Sequence, residues 1–284
     1  MSRPPVPGSG AAPPPHLPEV EKYLAPRVDQ SYARALWSVA RARRLLRAIG
    51  PGAFLERLFY HPGLPWIRYV GKPLSAAGRR LTGRTRFQWR GSTFEYPPWP
   101  VHGERRVEIP IARGFLAAHR ARGMRVLEIG NVLHEEASEL WLVVDKYEKG
   151  PAIVHTDVVD FVPPVQFEIV LAISTLEHVG FDEDQMDLGK FQRAVDHLYR
   201  TCLSPGGWML VTVPLGYHPE VDLTLLGSHL GWGEVDVLRH ASWLGDWREV
   251  PVERVAREGP PMYPYARHRA EAVAVWTIHK PALA

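Results

Sequence analysis

From residue 107 onward, short apolar runs alternate with amphipathic and turn-rich stretches. RVLEIG, WLVVD, AIVHTD, FEIVLAIS and WMLVTVP are each short, apolar and rich in β-branched side chains, as strands buried on both faces must be. Five such strands imply a parallel sheet. Ahead of WMLVTVP, Leu188, Phe191, Val195, Leu198 and Cys202 share one stripe of an amphipathic helix, which Ser204, Pro205, Gly206 and Gly207 stop. The C-terminal third offers two more strands, VPVERVAR and AVAVWTIHK, whose turn-rich separation suits an antiparallel pair at the sheet edge. The expected fold is α/β, with a doubly wound, mostly parallel, seven-stranded Rossmann-like sheet, the antiparallel C-terminal edge pair and an N-terminal helical cap.

The pattern upstream is different. Residues 1–18 carry seven prolines and almost no large apolar side chains, a composition that cannot offset the entropy of ordering it, so a disordered tail is expected. From about Val20 to Leu81 the period turns helical. Val39, Ala42, Leu46 and Ile49 repeat at helical spacing, with Arg41, Arg43, Arg44 and Arg47 on the remaining surface and Gly50–Pro51 as the stop. Leu36 and Trp37 interrupt the arginine side. The preferred role is therefore a helical cap over a site, with peripheral membrane contact as the alternative. FQWRGSTFEYPPWP reads as short extended pieces, connective in role and broken by Pro97, Pro98 and Pro100; Trp99, His102 and Glu104 read as a packed linker. Three regions result: a tail at 1–18, a basic cap and linker at 19–106, and a catalytic domain at 107–284.

Composition narrows the class. A chain of 284 residues that is 45% apolar and 23% charged has the mass for one large domain, or for one domain and an appendage. Disorder throughout, a collagen-like repeat and a disulfide scaffold are excluded. Cys202 is the single cysteine, so an intramolecular disulfide and a thiolate metal cluster are both ruled out, and a reducing, cytoplasmic setting is expected. No window approaches the ~20 apolar residues of a membrane span, and the first residues lack the apolar core of a signal peptide. The net charge of +3 hides an asymmetry. Residues 1–124 hold 21 Lys+Arg against 7 Asp+Glu, a balance of +14, and the rest hold 13 against 24, a balance of −11. The basic half suits an anionic partner or the acidic half of its own chain.

In an open doubly wound sheet, ligands bind beyond the carboxyl ends of the strands. The polar residues there are Glu128 to Asn131, Asp145, Asp157, Ser174 to His178, and Leu215 to Asp222. VLEIGNVLHE supplies only Gly130 of the three glycines that a pyrophosphate dinucleotide requires, which disfavours such a cofactor. A ligand with an amino-acid end, a ribose and no phosphates needs one close backbone approach, at Gly130. It also needs one carboxylate at the next strand end to accept from the ribose hydroxyls, and Asp145 provides it. S-adenosylmethionine has this constitution.

RVLEIGN, VVD, HTDVVDF, FEIVLAISTLEHVG and LSPGGWMLVTVP, in this order and spacing, resemble the successive motifs of class I S-adenosylmethionine-dependent methyltransferases over residues 107 to 215. The fourth segment is most similar to those acting on small molecules and glycans. The resemblance implies that Glu128 and Gly130 shape the methionine pocket, Asp145 binds the ribose, and Asp157 with the Val158 backbone recognises the adenine edge. By the same resemblance, Ser174 closes the floor beneath the sulfonium. Asn131 and Val132 stand where the family usually carries a second glycine. Asn131 tolerates left-handed dihedrals, and Val132 is expected to face away from the cofactor.

Methyl transfer is an in-line displacement that needs alignment and, for a hydroxyl acceptor, a base. Two histidines border the donor pocket: His178 after the fourth strand, and His218 after the fifth, beside Tyr217 and with Asp222 to orient it. The competing structural roles are a helix cap for His178 and no role for His218. Glu177 and His178 resemble part of a metal site, but Ser174 stands where a further acidic ligand would fall, so no metal is assigned. Asp182, Glu183 and Asp184 read as a solvated charge run.

The leading reading is an O-methyltransferase of a small-molecule or glycan acceptor, to which the cap arginines could draw a phosphate-bearing group. A nucleic-acid methyltransferase is the enzymatic rival, favoured by the basic half. ISTLEHVG in place of an Asn/Asp-Pro-Pro-aromatic motif argues against it. A non-catalytic protein retaining the fold is the third reading, supported by the altered glycine turn.

Overall fold

The computed structural model describes residues 85–97, 103–133, 141–150, 153–183, 185–227, 233–241, 246–259 and 270–282, with Ala77, Gly78, Leu81, Gly83 and Tyr263. The expected tail, nearly all of the expected basic cap, Trp99 and His102 lie outside the described residues. No helix among the described residues is long and apolar enough to cross a membrane.

The elements are β1 (Arg86–Trp89), β2 (Ser92–Glu95), α1 (Arg105–His119), β3 (Val126–Ile129), β4 (Trp141–Asp145), β5 (Ile153–His155), β6 (Phe167–Ile173), α2 (Lys190–His197), β7 (Leu203–Pro214), α3 (Pro219–Leu226), β8 (Glu234–His240), β9 (Trp247–Val250), α4 (Val252–Glu258) and β10 (Ala272–His279). The main sheet has the order β5-β4-β3-β6-β7-β10-β8-β9. β5, β4, β3, β6 and β7 are mutually parallel; β10, β8 and β9 each run antiparallel to their neighbours. All five parallel strands read from the sequence are present, because a segment apolar on both faces has no stable alternative to the middle of a layered sheet.

Alternate residues of each strand feed two cores. Leu127, Ile129, Val170, Ala172, Val211 and Val213 pack beneath Phe191, Ala194 and Val195 of α2, Val221 and Leu225 of α3, and Val255 of α4. Val126, Ile169, Leu171, Ile173, Leu210, Val273 and Val275 pack on the other face, beneath Val107, Ile111, Ala112 and Phe115 of α1. α1 spans the expected division after residue 106, so Arg105 and Arg106 belong to the same helix as Val107.

Among the described residues the main sheet has eight strands where seven were expected, and the C-terminal pair is not at the edge. β10 lies between β7 and β8, and its partner in the expected pair is not VPVERVAR. Pro251 ends β9 and caps α4, where Val252 and Val255 face the core and Arg254 pairs with Glu258 one turn on, at 2.8 Å. Two strands were missed: EVDVLRH, amphipathic in composition, acquires its place only against β10, and WREV pairs with it at the edge.

Two connecting segments also carry structure. The FQWRGSTFEY stretch is a β-hairpin whose Arg90–Gly91 turn has both φ angles positive, at 48° and 72°, matching the twist of the strands. The hairpin is tied to the sheet by Trp89 Nε1, which donates to Asp236 at 3.0 Å, and by Tyr96 Oη, which accepts from the Trp247 amide at 2.8 Å. Ser204 to Gly207 do end the helical stripe, which closes in a π turn at Leu198–Cys202, but they form an insertion within β7. Pairing with β6 steps from Phe167↔Leu203 to Ile169↔Trp208, and the Gly206 amide donates to the Lys280 carbonyl at 2.8 Å.

Candidate active site

A cleft of about 480 Å³ opens beyond the carboxyl ends of β3, β4, β5 and β6. Its wall includes Gly130, Asn131, Val132, Asp145, Lys146, Asp157, Val158, Ser174, Thr175, His178 and Asp182, with Arg105 reaching in from α1. Of the cofactor-binding residues expected from the sequence, Gly130, Asn131, Asp145, Asp157, Val158 and Ser174 line it, and Glu128 does not.

The turn after β3 is built by two features. Gly130 has φ +80°, and a Cβ there would stand 2.3 Å from Thr175 Oγ1, so only glycine lets this loop approach the loop after β6. Beneath it, Glu128 is fully buried. Its Oε1 accepts the amides of Val132 (2.8 Å) and Leu133 (2.7 Å), and its Oε2 accepts Trp141 Nε1 (3.0 Å). Glu128 thus shapes the pocket by holding the loop from behind. The positive φ falls on Gly130 and not on Asn131, whose Nδ2 donates to Glu148 at 2.6 Å. Val132, expected to face away, is part of the wall.

At the end of β4, Asp145 Oδ1 accepts the amides of Tyr147 and Glu148, both at 2.7 Å, which fixes the carboxylate while Oδ2 makes no hydrogen bond among the described residues. At the end of β5, Asp157 is more committed than the resemblance implies. Its Oδ2 accepts from Lys190 Nζ at 2.6 Å and pairs with Lys146 Nζ at 2.8 Å. Glu183 bridges the same two lysines, at 2.6 Å to Lys190 and 3.1 Å to Lys146. Burial opposes ionisation of both carboxylates, but the lysine bonds outweigh it and hold them below the usual range. Glu183 is therefore part of a buried-edge network and not of a solvated charge run.

The floor is strained and tightly held. Ser174 has φ +41°, a left-handed value that costs a residue with a Cβ on the order of 1–3 kcal/mol. Its amide donates to Thr212 O at 2.8 Å, its hydroxyl donates to Glu108 Oε1 at 2.5 Å, and its carbonyl accepts from Arg105 at 3.4 Å. Arg105 also donates to the Ile173 carbonyl at 2.7 Å and lies 3.5 Å from Glu108. Glu108 is fully buried and accepts from Thr212 Oγ1 at 2.9 Å as well; burial raises its pKa despite Arg105.

The rim carries a cluster of titratable side chains. His178 Nδ1 lies 2.5 Å from Asp182 Oδ2, which also accepts the Tyr217 hydroxyl, and the Tyr217 ring meets His178 edge-on at 5.0 Å. Burial opposes the charged ring, yet the Asp182 bond and the Glu177 and Asp182 charges raise the His178 pKa. Glu177, buried and 3.6 Å from His178 Nε2, is pushed by burial to about 8.

The expected His218–Asp222 pair does not form. His218 is fully buried, stacks on Phe181 at 4.5 Å, and caps α3 through Nδ1, which accepts the Glu220 amide at 3.2 Å. Asp222 does not orient it. Both Asp222 oxygens accept the Gly216 amide at 3.0 Å, and burial pushes this carboxyl to about 7. Neither residue lines the cleft, and Tyr217 reaches it through Asp182 and the His178 ring. Sequence reasoning missed Arg105, Glu108, Lys146 and Asp182. The four-residue spacing of His178 and Asp182 was the available signal; the others had none. Among the described residues no group of three or more His, Cys, Asp or Glu side chains is placed to hold a metal ion.

No protein-family model and no curated protein matches the sequence. Solved structures similar to this chain include the N-methyltransferase NodS from Bradyrhizobium japonicum in complex with S-adenosyl-L-homocysteine, at 14% identity over 63% of this chain and 87% of that one, with a TM-score of 0.40. Another is the 1,6-didemethyltoxoflavin-N1-methyltransferase of Burkholderia thailandensis with 1,6-didemethyltoxoflavin and S-adenosylhomocysteine, at 14% identity over 69% and 98%, TM-score 0.35. A third is the plantazolicin methyltransferase BpumL in complex with the same product, SAH, at 11% identity over 60% and 81%, TM-score 0.34.

Proposed function

We propose that this protein is an S-adenosylmethionine-dependent methyltransferase that methylates a hydroxyl of a small-molecule or glycan acceptor. The observation that carries this reading is the cleft itself. One loop pressed close at Gly130, one fixed carboxylate at Asp145, an apolar wall at Val158 and a paired histidine on the rim meet at the carboxyl ends of four parallel strands. The volume suits a cofactor-sized ligand, and the donor set fits a ribose and an amino-acid end better than a pyrophosphate.

When bound, the cofactor supplies an electrophilic methyl group on sulfur. In that complex Asp145 Oδ2 would accept from a ribose hydroxyl, and the Val158 backbone, beside Asp157, would meet the adenine edge. Ser174 and Thr175 form a floor whose position is fixed by Glu108 and Arg105, which favours alignment for in-line attack. His178 takes the acceptor proton at Nε2 while Asp182 holds Nδ1, the arrangement of a base and its orienting carboxylate.

Calorimetry with S-adenosylhomocysteine tests the cofactor assignment: saturable binding is expected in the wild type, with a loss of about tenfold or more in Asp145→Ala. A radiolabelled methyl-transfer screen over sugar and phenol acceptors tests the activity. No binding at millimolar concentration would end this reading.

A further inference from the structure

A second cavity, of about 330 Å³, lies at the far edge of the sheet between β8, β9 and α4, lined by Arg239, His240, Ala241, Arg248, Val250, Arg254 and Val255. We infer that it binds a phosphoryl group, by ionic and forked hydrogen bonds from Arg239, Arg248 and Arg254, at a site separate from the cleft.

The strand register makes the case. Arg239 and Arg248 are direct partners across β8 and β9, so two guanidinium-bearing side chains leave the same face of adjacent strands. Like charges at such a position repel and destabilise the pair unless an anion lies between them. Arg254 adds a third from α4. Glu258 pairs with Arg239 at 2.9 Å and with Arg254 at 2.8 Å, but it is not part of the cavity wall, and no carboxylate is. Arg248 makes no ion pair among the described residues. Arg239 and Arg254 thus share one carboxylate and Arg248 pairs with none among the described residues, in the half of the chain whose overall balance is −11. An arginine cluster in an acidic context is a local feature and not a spill-over of general basicity. Val250 and Val255 complete the wall. Arginine forks match the geometry of phosphate oxygens, which favours phosphoryl over a monovalent halide.

The site also opens on the same rim of the sheet as the cleft. Arg239 is level with Ala272, and the next residue of β10, Val273, is level with Pro214 at the carboxyl end of β7.

The test is titration calorimetry of the full chain at fixed ionic strength with inorganic phosphate, pyrophosphate and a nucleoside diphosphate, in chloride buffer. Arg248→Ala is the informative variant because that side chain supports no ion pair, and Arg239→Ala is the second. Arg122→Gln, on an exposed turn, controls for net charge. Saturable binding by at least one probe, weakened about tenfold or more in both cavity variants and unchanged in the control, is the expected result. Preference for pyrophosphate or phosphate assigns a free anion, and preference for the nucleoside diphosphate assigns a phosphorylated small molecule. Absence of saturable binding by all three, or an equal loss in Arg122→Gln, overturns the inference. S-adenosylhomocysteine affinity is expected to be unchanged in Arg248→Ala, so the cofactor reading stands or falls separately.

Discussion

Replacing Glu128 separates the loop-holding role from a ligand-binding one. In the wild type its two oxygens accept three donors within the core, the amides of Val132 and Leu133 and the indole of Trp141. Glu128→Ala leaves all three without that acceptor. An orphaned buried donor costs roughly 1–3 kcal/mol, and the Val132 amide, only partly buried, can recruit water; a loss of about 3–5 kcal/mol is expected. Glu128→Gln is a sharper probe. Its single carbonyl oxygen can still accept both amides, but its NH2 then meets the indole N–H, donor against donor, and about 1–2 kcal/mol is expected. Trp141→Phe removes that conflict, so the Gln penalty should shrink when it is measured in the Trp141→Phe background. Urea denaturation gives the stabilities, and calorimetry with S-adenosylhomocysteine gives the consequence for the cleft. A Glu128→Ala variant within about 1 kcal/mol of wild type, or a Gln penalty that Trp141→Phe leaves intact, refutes this account of the loop.

Gly130→Ala should abolish cofactor binding by driving a methyl into Thr175 Oγ1, and adding Thr175→Ala should restore part of it, leaving the strain of φ +80°; calorimetry on the single and double variants checks both. His178 must be neutral to act as a base, so methyl transfer should rise with pH through its raised pKa. Asp182→Asn should move that acid limb to lower pH and reduce kcat, as read from a pH–rate profile. Protonated His178 also contributes stability that is complete below its ordinary value of 6.5 and lost as pH rises through the raised folded value. Asp222 behaves likewise as a carboxyl raised from 3.8 to about 7: the stability of its protonated form is full below pH 3.8 and lost as pH climbs through 7. Asp222→Asn, which keeps an acceptor for the Gly216 amide, should flatten thermal stability across that window, and equal pH slopes for variant and wild type would refute this. His218→Ala should lower thermal stability through lost packing on Phe181 and a lost α3 cap, while His178→Ala should lower turnover, with its stability cost largest below the raised folded pKa and shrinking above it.

The primary sequence by itself determined the parallel strands, their order of appearance and the residues at their carboxyl ends. A strand buried on both faces must be apolar throughout, and a site at strand ends must follow those runs directly, so Gly130, Asp145, Asp157, Ser174 and His178 were legible as neighbours of a common cleft. Tertiary packing alone decided which histidine faces it. His218 and His178 follow strands in the same way, but Phe181 and α3 bury the first, and Asp182 claims the second. The same holds for Arg105 and Glu108, which reach the floor from a helix about 70 residues before Ser174. It holds too for β10, which slots between β7 and β8 because only there are both of its apolar faces covered. Local pattern reports what a residue can tolerate; the chain's return to itself from a distance fixes what it touches, and no period in the sequence encodes that.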